Sequence, residues 1–166
     1  MRLFSPHEEH HSVHDIDYER LRSQGIRGLI FDLDNTLCPW RSPTLGAETR
    51  GLLKGLQERG FRICVLSNGD LRKRGGVSGE LAELGIPVIF SAHKPLPFGF
   101  KRAQKLLGLG AEEVAVVGDQ LFTDVLGGNL LGFYTILVFP CSSREHPWTR
   151  YVARSLERFL FKRKLT

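Results

Sequence analysis

Short, mostly apolar runs at Gly28–Asp32, Arg62–Leu66, Pro87–Phe90, Val114–Val117 and Tyr134–Phe139 alternate with longer amphipathic stretches. Runs of that length bounded by polar residues predict buried strands. Leu45–Arg59 carries Leu52, Leu53 and Leu56 at helical spacing, and Phe98–Leu107 carries Phe100, Ala103, Leu106 and Leu107 likewise, so both predict helices. Gly60, Gly85 and Gly108 stand where a left-handed residue ends a helix, and a strand pattern resumes soon after each. The segment from Asn68 to His93 has room for one further helix and strand. Alternation of this kind predicts an α/β fold with a central parallel sheet covered on both faces.

The chain has 166 residues, and no repeat, low-complexity tract or linker interrupts the alternation, so one domain is expected over 1–166. The two ends depart from the pattern. Residues 1–14 contain His7, His10, His11 and His14, which a helix would bring to one face as a transition-metal site; a polar, loosely ordered terminus is the expectation. Residues 145–166 read as a basic amphipathic helix, with Trp148, Tyr151, Val152, Leu156, Phe159 and Leu160 beside a ridge of Arg150, Arg154, Arg158 and Lys162. Such a helix either packs on the sheet or docks on an anionic membrane.

Lys and Arg number 23 against 18 Asp and Glu, a net +5 that suits contact with phosphates or anionic lipid and also serves solubility. Cys38, Cys64 and Cys141 show no CxxC spacing, which argues against a disulfide framework or zinc knuckle and for a reducing cytoplasm. No signal-peptide pattern opens the chain, and Leu130–Phe139 is too short to span a bilayer. A cytoplasmic protein is therefore expected, at most peripheral at the inner membrane face.

In open α/β sheets ligands bind beyond the carboxyl ends of the strands, and polar residues follow four of the predicted strands. Asp32 and Asp34 follow the first, Ser67, Asn68 and Gly69 the second, Lys94 the third, and Gly118-Asp119-Gln120 with Asp124 the fourth. Each alone is explained by helix capping. Together they would crowd carboxylates at one edge, where repulsion calls for a cation. Hard carboxylate oxygens suit Mg²⁺, and a lysine supplies a point charge for phosphate.

The DxDxT string at Asp32–Thr36, Ser67, Lys94 and the GDxxxxD string at Gly118–Asp124 resemble, in order and spacing, the four motifs of haloacid dehalogenase-type phosphatases. The longer string Gly118–Asn129, with the Lys94-Pro95 step, is similar to the YqeG-type members of subfamily IIIA, which are related to mitochondrial phosphatidylglycerophosphatases. The resemblance implies a three-layer Rossmann-like fold and an aspartyl-phosphate mechanism. Asp32 would be the nucleophile and Asp34 the general acid and base. Mg²⁺ would be held by Asp32, the backbone carbonyl of Asp34, Asp119 and, directly or through water, Asp124. Ser67, Asn68 and Lys94 would bind the phosphoryl group, Lys94 also keeping the carboxylates ionised.

An acid at Asp34 favours a phosphatase over a dehalogenase or ATPase. No GxxxxGK[ST] or GxGxxG motif competes, and Gly75, Gly76 and Gly79 read as a mobile loop. The intervals between motifs leave no room for a cap domain, which suits a large substrate such as a phospholipid; Trp40 either lines the entrance or packs on its own loop. The expected reaction is Mg-dependent phosphomonoester hydrolysis, with phosphatidylglycerophosphate as the favoured substrate. The rivals are a soluble sugar, nucleotide or phosphoprotein phosphatase, and a weakly catalytic protein bound to RNA or the ribosome. Nucleic acid is not the expected partner, because pure binding needs no acid at Asp34.

Overall fold

Gly28-Leu29-Ile30-Phe31 is buried residue by residue, and its side chains divide by the two-residue period of a strand. Leu29 and Phe31 enter one apolar cluster and Ile30 the other, on the opposite face of the sheet. This run is the central strand of a sheet within the computed structural model, which describes residues 3–141.

The elements are β1 (Glu8–His10), α1 (Tyr18–Ser23), β2 (Gly28–Phe31), α2 (Ala47–Glu58), β3 (Arg62–Leu66), α3 (Gly75–Glu83), β4 (Val88–Ile89), α4 (Pro97–Leu107), β5 (Val114–Gly118), α5 (Leu126–Leu130) and β6 (Tyr134–Val138). All strand pairs are parallel, in the order β1-β6-β5-β2-β3-β4. The expected three-layer α/β fold is the observed one. Leu21, Leu53, Leu56, Val77 and Leu81 from α1, α2 and α3 cover one face, and Phe100, Ala103 and Leu107 from α4 cover the other. Pro97 stands in the first turn of α4, where its missing N–H costs nothing, and Gly108 closes the helix at φ 65°. Gly127 lets α5 close on α4, since a Cβ there would lie 2.3 Å from the Phe100 ring.

The amino-terminal segment departs from expectation. Glu8–His10 is an edge strand paired with Ile136–Val138. Side-chain anchors hold it: Asn129 donates to the carbonyls of Leu3 (2.8 Å) and Ser5 (3.0 Å), and the Tyr134 hydroxyl donates to Glu8 (2.6 Å). The four histidines therefore lie along extended chain and a short turn, and each has its own partner. His7 accepts from the Thr135 N–H (3.0 Å), His10 pairs with Glu8 (2.8 Å), His11 packs on Phe139 and His14 stands 3.8 Å from Glu48. No four-imidazole face forms.

The glycines read as a mobile loop instead open α3. Gly76 is needed there because a Cβ would come within 2.5 Å of the Pro43 carbonyl oxygen. The basic helix expected over 145–166 lies outside the described residues. Among those described, no helix is long and apolar enough to cross a membrane.

The chain leaves β2 toward β3 on one side and returns to β5 on the other. The reversal opens a crevice above the carboxyl ends of β2 and β5.

Candidate active site

Asp32 is the first residue beyond β2, still tied to the sheet by its N–H to Val117 O (2.9 Å). Its Oδ2 accepts from the Thr36 hydroxyl (3.0 Å) and its Oδ1 from Lys94 Nζ (2.7 Å). Lys94 arrives from the loop after β4, and the same ammonium donates to Asp124 Oδ1 (2.6 Å). Its side chain is 3% exposed, so one buried cation joins two buried carboxylates from different loops.

Asp124 sits on a single π-helical turn, Leu121–Val125, that leads into α5, and its Oδ2 accepts from the Gln120 N–H (3.2 Å). Gly118 makes room for it, because a Cβ at that position would fall 2.2 Å from the Asp124 carboxyl carbon. Asp119 completes the group: one oxygen from each of Asp32, Asp119 and Asp124 lies within 4.8 Å of the others, and Asp119 Oδ1 is buried with no hydrogen-bond partner.

Burial, then the charges of Asp32 and Asp124, hold the Asp119 carboxyl well above the usual carboxylate range. Burial also raises Asp124, to about 6, although Lys94 pulls the other way. Lys94 itself is disfavoured as a cation by burial but held above its usual range by Asp124 and Asp32. The lysine thus opposes, without cancelling, the cost of burying its acidic neighbours. Hard oxygen donors, mutual repulsion and an orphaned buried oxygen fit a divalent cation bound by Asp32, Asp119 and Asp124.

Asp34 behaves differently from Asp32. Its side chain stays outside the three-carboxylate group, and its Oδ1 accepts from the Arg41 N–H (2.9 Å) and from the guanidinium of Arg74. Any share it takes in metal binding falls to its backbone. Ser67, buried beyond β3, accepts from the Gly69 N–H (3.0 Å). Asn68, expected as a phosphate ligand, spends its side chain elsewhere: its oxygen accepts from the Lys94 N–H (2.7 Å) and its amide donates to the Lys94 carbonyl (3.2 Å). Adjacency of β3 and β4 puts these loops in contact, so the Asn68 amide positions the lysine backbone. Trp40 is half-buried, with the Arg41 guanidinium over its ring at 4.6 Å.

Sequence reasoning missed Arg74. It stands in a polar, glycine-rich stretch, and the contact that reveals it spans forty residues of chain. No local spacing marks it.

Folding with the cation should be measurable. Asp124 ordinarily titrates near 3.8; raised to about 6, it favours folding of the metal-free protein below pH 4 and loses that contribution as pH rises through 6. A divalent ion competes with those protons. At pH 7.5, Mg²⁺ at about a hundred times its dissociation constant is expected to add about 2.7 kcal/mol, which raises Tm by roughly 5–10 °C. At pH 5 the rise should largely vanish. Calorimetric scans at both pH values check this, and a rise equal at the two would contradict carboxylate ligation.

Comparison with known proteins places this architecture. The family model described as Mitochondrial PGP phosphatase matches residues 1–140. The Bacillus subtilis (strain 168) protein named "Probable phosphatase YqeG" is 38% identical over 157 residues, covering 95% of this chain and 89% of its own. Phosphatidylglycerophosphate phosphatase 1, chloroplastic/mitochondrial, of Arabidopsis thaliana is 32% identical over 169 residues, covering 96% of this chain and 48% of its own. The chain thus spans about half the length of that plant relative. Among solved structures, the cobalt-bound deoxy-D-mannose-octulosonate 8-phosphate phosphatase of Haemophilus influenzae superposes with a TM-score of 0.54 at 20% identity, over 68% of each chain. An uncharacterised Listeria monocytogenes protein superposes with a TM-score of 0.55 at 19% identity, over 74% of this chain and 85% of its own. Both likenesses are of fold.

Proposed function

Because the chain belongs to the Mitochondrial PGP phosphatase family, among the YqeG-type phosphatases of haloacid dehalogenase subfamily IIIA, we propose that it hydrolyses a phospholipid phosphomonoester of the phosphatidylglycerophosphate type through an aspartyl-phosphate on Asp32. The observation that carries the chemistry is the meeting of Asp32, Lys94, Asp119 and Asp124 at one strand edge.

Asp32 Oδ1 attacks phosphorus, the P–O bond to the alcohol breaks, and the phosphoryl group passes to the aspartate. Asp34 gives a proton to the departing alkoxide and then takes one from the water that cleaves the acyl phosphate. Lys94 and Ser67 hold the phosphoryl oxygens. Lys94 exchanges part of its pairing with Asp32 for the incoming phosphate, so its charge remains compensated while the nucleophile is released. Asp32, Asp119 and Asp124, with the backbone carbonyl of Asp34, would hold Mg²⁺. When bound, the ion offsets the repulsion between the nucleophilic carboxylate and the anionic phosphate.

The lipid substrate is supported by the names of the relatives and by the short intervals between the site's loops. Among the described residues only the loop through Trp40 separates Thr36 from α2, and only the Arg74 segment and α3 separate β3 from β4. Neither interval has room for a cap domain, an arrangement that suits a large substrate. Peripheral contact with an anionic membrane face belongs to the same proposal.

A phosphate-release screen with Mg²⁺ across lipid, sugar and nucleotide monoesters and a phosphopeptide tests this reading. Phosphatidylglycerophosphate in mixed micelles should give the highest kcat/KM. Preference for a sugar or nucleotide phosphate without lipid would overturn the lipid substrate and leave the chemistry standing.

A further inference from the structure

Arg74 is a charged side chain buried as deeply as the core, 3% exposed, in a segment whose neighbours Leu71, Arg72 and Lys73 are exposed. One arm of its guanidinium binds Asp34 Oδ1, and a second lies 3.5 Å from Cys38 Sγ, donating to a sulfur whose thiol burial pushes up to about 12. Its Nε is buried and has no partner. A buried arginine is costly unless its charge is paired and its geometry put to use, and here it is aimed at one oxygen of one carboxylate.

That oxygen is also held by the Arg41 N–H at 2.9 Å. Two donors on Oδ1, one from the loop that follows β2 and one from the segment that follows β3, leave Asp34 little rotational freedom. Oδ2 is then the oxygen turned to the reaction: a Cβ built on Gly69 would lie 3.6 Å from Asp34 Oδ2 and 3.1 Å from Ser67 Oγ, which puts Oδ2 on the Ser67 side. The chain supplies Gly69 there, so that space stays clear.

We propose that Arg74 is a positioning residue for the hydrolysis: by fixing Asp34 Oδ1 it presents Oδ2 as the oxygen that passes the proton between leaving group and water. The inference rests on the assignment of Asp34 as the acid and base. In this role Arg74 acts through Asp34 and not on the phosphate itself. Its planar fork is what matters, because an ammonium in its place supplies charge without fixed direction.

Arg74→Lys is the informative variant, since it keeps the charge and much of the buried stem, and a thermal melt establishes that it folds. Single-turnover rates are compared on an alkyl phosphate, whose leaving group needs a proton, and on p-nitrophenyl phosphate, whose leaving group does not. If Arg74 acts through Asp34, Arg74→Lys should slow the alkyl ester by about tenfold to a hundredfold, part of the 10²–10⁴ a general acid supplies, and the aryl ester by less than about threefold. KM should change little. Asp34→Asn alone should show the same discrimination more strongly, and Asp34→Asn with Arg74→Lys should be no slower than Asp34→Asn.

Arg74→Lys that slows both esters equally, or that adds its full effect on top of Asp34→Asn, overturns the positioning role while leaving Asp34 in place. Should Asp34→Asn itself fail to distinguish the two esters, the acid assignment falls, and the role of Arg74 with it. For a lysine variant that does not fold, Arg74→Gln assayed at reduced temperature gives the same comparison.

Discussion

Asp32→Asn is expected to remove turnover almost completely, by at least about 10⁴-fold in kcat, because an amide oxygen neither attacks phosphorus nor replaces a carboxylate beside a cation. The fold should survive. Asp32 keeps its place through its backbone N–H to Val117 O, and the one oxygen of an Asn side chain can still accept from Lys94 while its amide donates to the Thr36 hydroxyl. The decisive measurement pairs phosphate release with trapping: wild type quenched in acid during turnover should retain phosphate on the protein, and Asp32→Asn should retain none. Appreciable turnover by the variant, or labelling of another residue, would move the nucleophile elsewhere.

Lys94→Met is expected to have the largest combined effect, on both stability and activity. The methionine matches the buried stem but leaves Asp32 and Asp124 facing each other without the ammonium that bridges them at 2.7 and 2.6 Å. Removing one partner of a buried pair costs about 3–5 kcal/mol, and for a chain of this size that is a Tm lower by roughly 6–20 °C. The sign with pH follows from Asp124. Burial raises its carboxyl and Lys94 lowers it, so losing the lysine raises it further. The destabilisation should set in as pH rises above 6, where wild-type Asp124 ionises, and shrink as acid protonates the site, while added Mg²⁺ should recover part of it at pH 7.5. Activity should fall as well, since the phosphate loses its point charge. A variant whose Tm matches wild type across pH 5–8 would mean that the lysine does not compensate these carboxylates.

Much of this molecule follows from local pattern. Gly28–Phe31, Arg62–Leu66 and Val114–Gly118 are strands because short apolar runs must be buried on both sides, and α2, α3 and α4 each end where a glycine, Gly60, Gly85 or Gly108, accepts a positive φ. Once strand and helix alternate, right-handed crossovers bring every strand's carboxyl end to one edge. Asp32, Ser67, Lys94 and Asp119 were therefore legible as neighbours from their places after strands alone.

The sequence could not say which atoms would meet. Asp32 and Asp34 are two residues apart, yet Asp32 meets Lys94 while Asp34 meets Arg74, because the chain turns at Leu33–Thr36 and sends the second side chain toward the segment that precedes α3. Asn68 stands beside Ser67 in sequence but holds the Lys94 backbone, a consequence of β3 pairing with β4. The histidines of the first turn of chain look helical by spacing and become an edge strand and its flanks, because the open side of β6 offers unpaired backbone groups that no local propensity records. Spacing along one chain determines which residues share an edge or a face. Contacts between side chains forty or a hundred residues apart depend on strand pairing and loop packing, so the tertiary structure alone decided the partners of Asp34, Asn68 and His7.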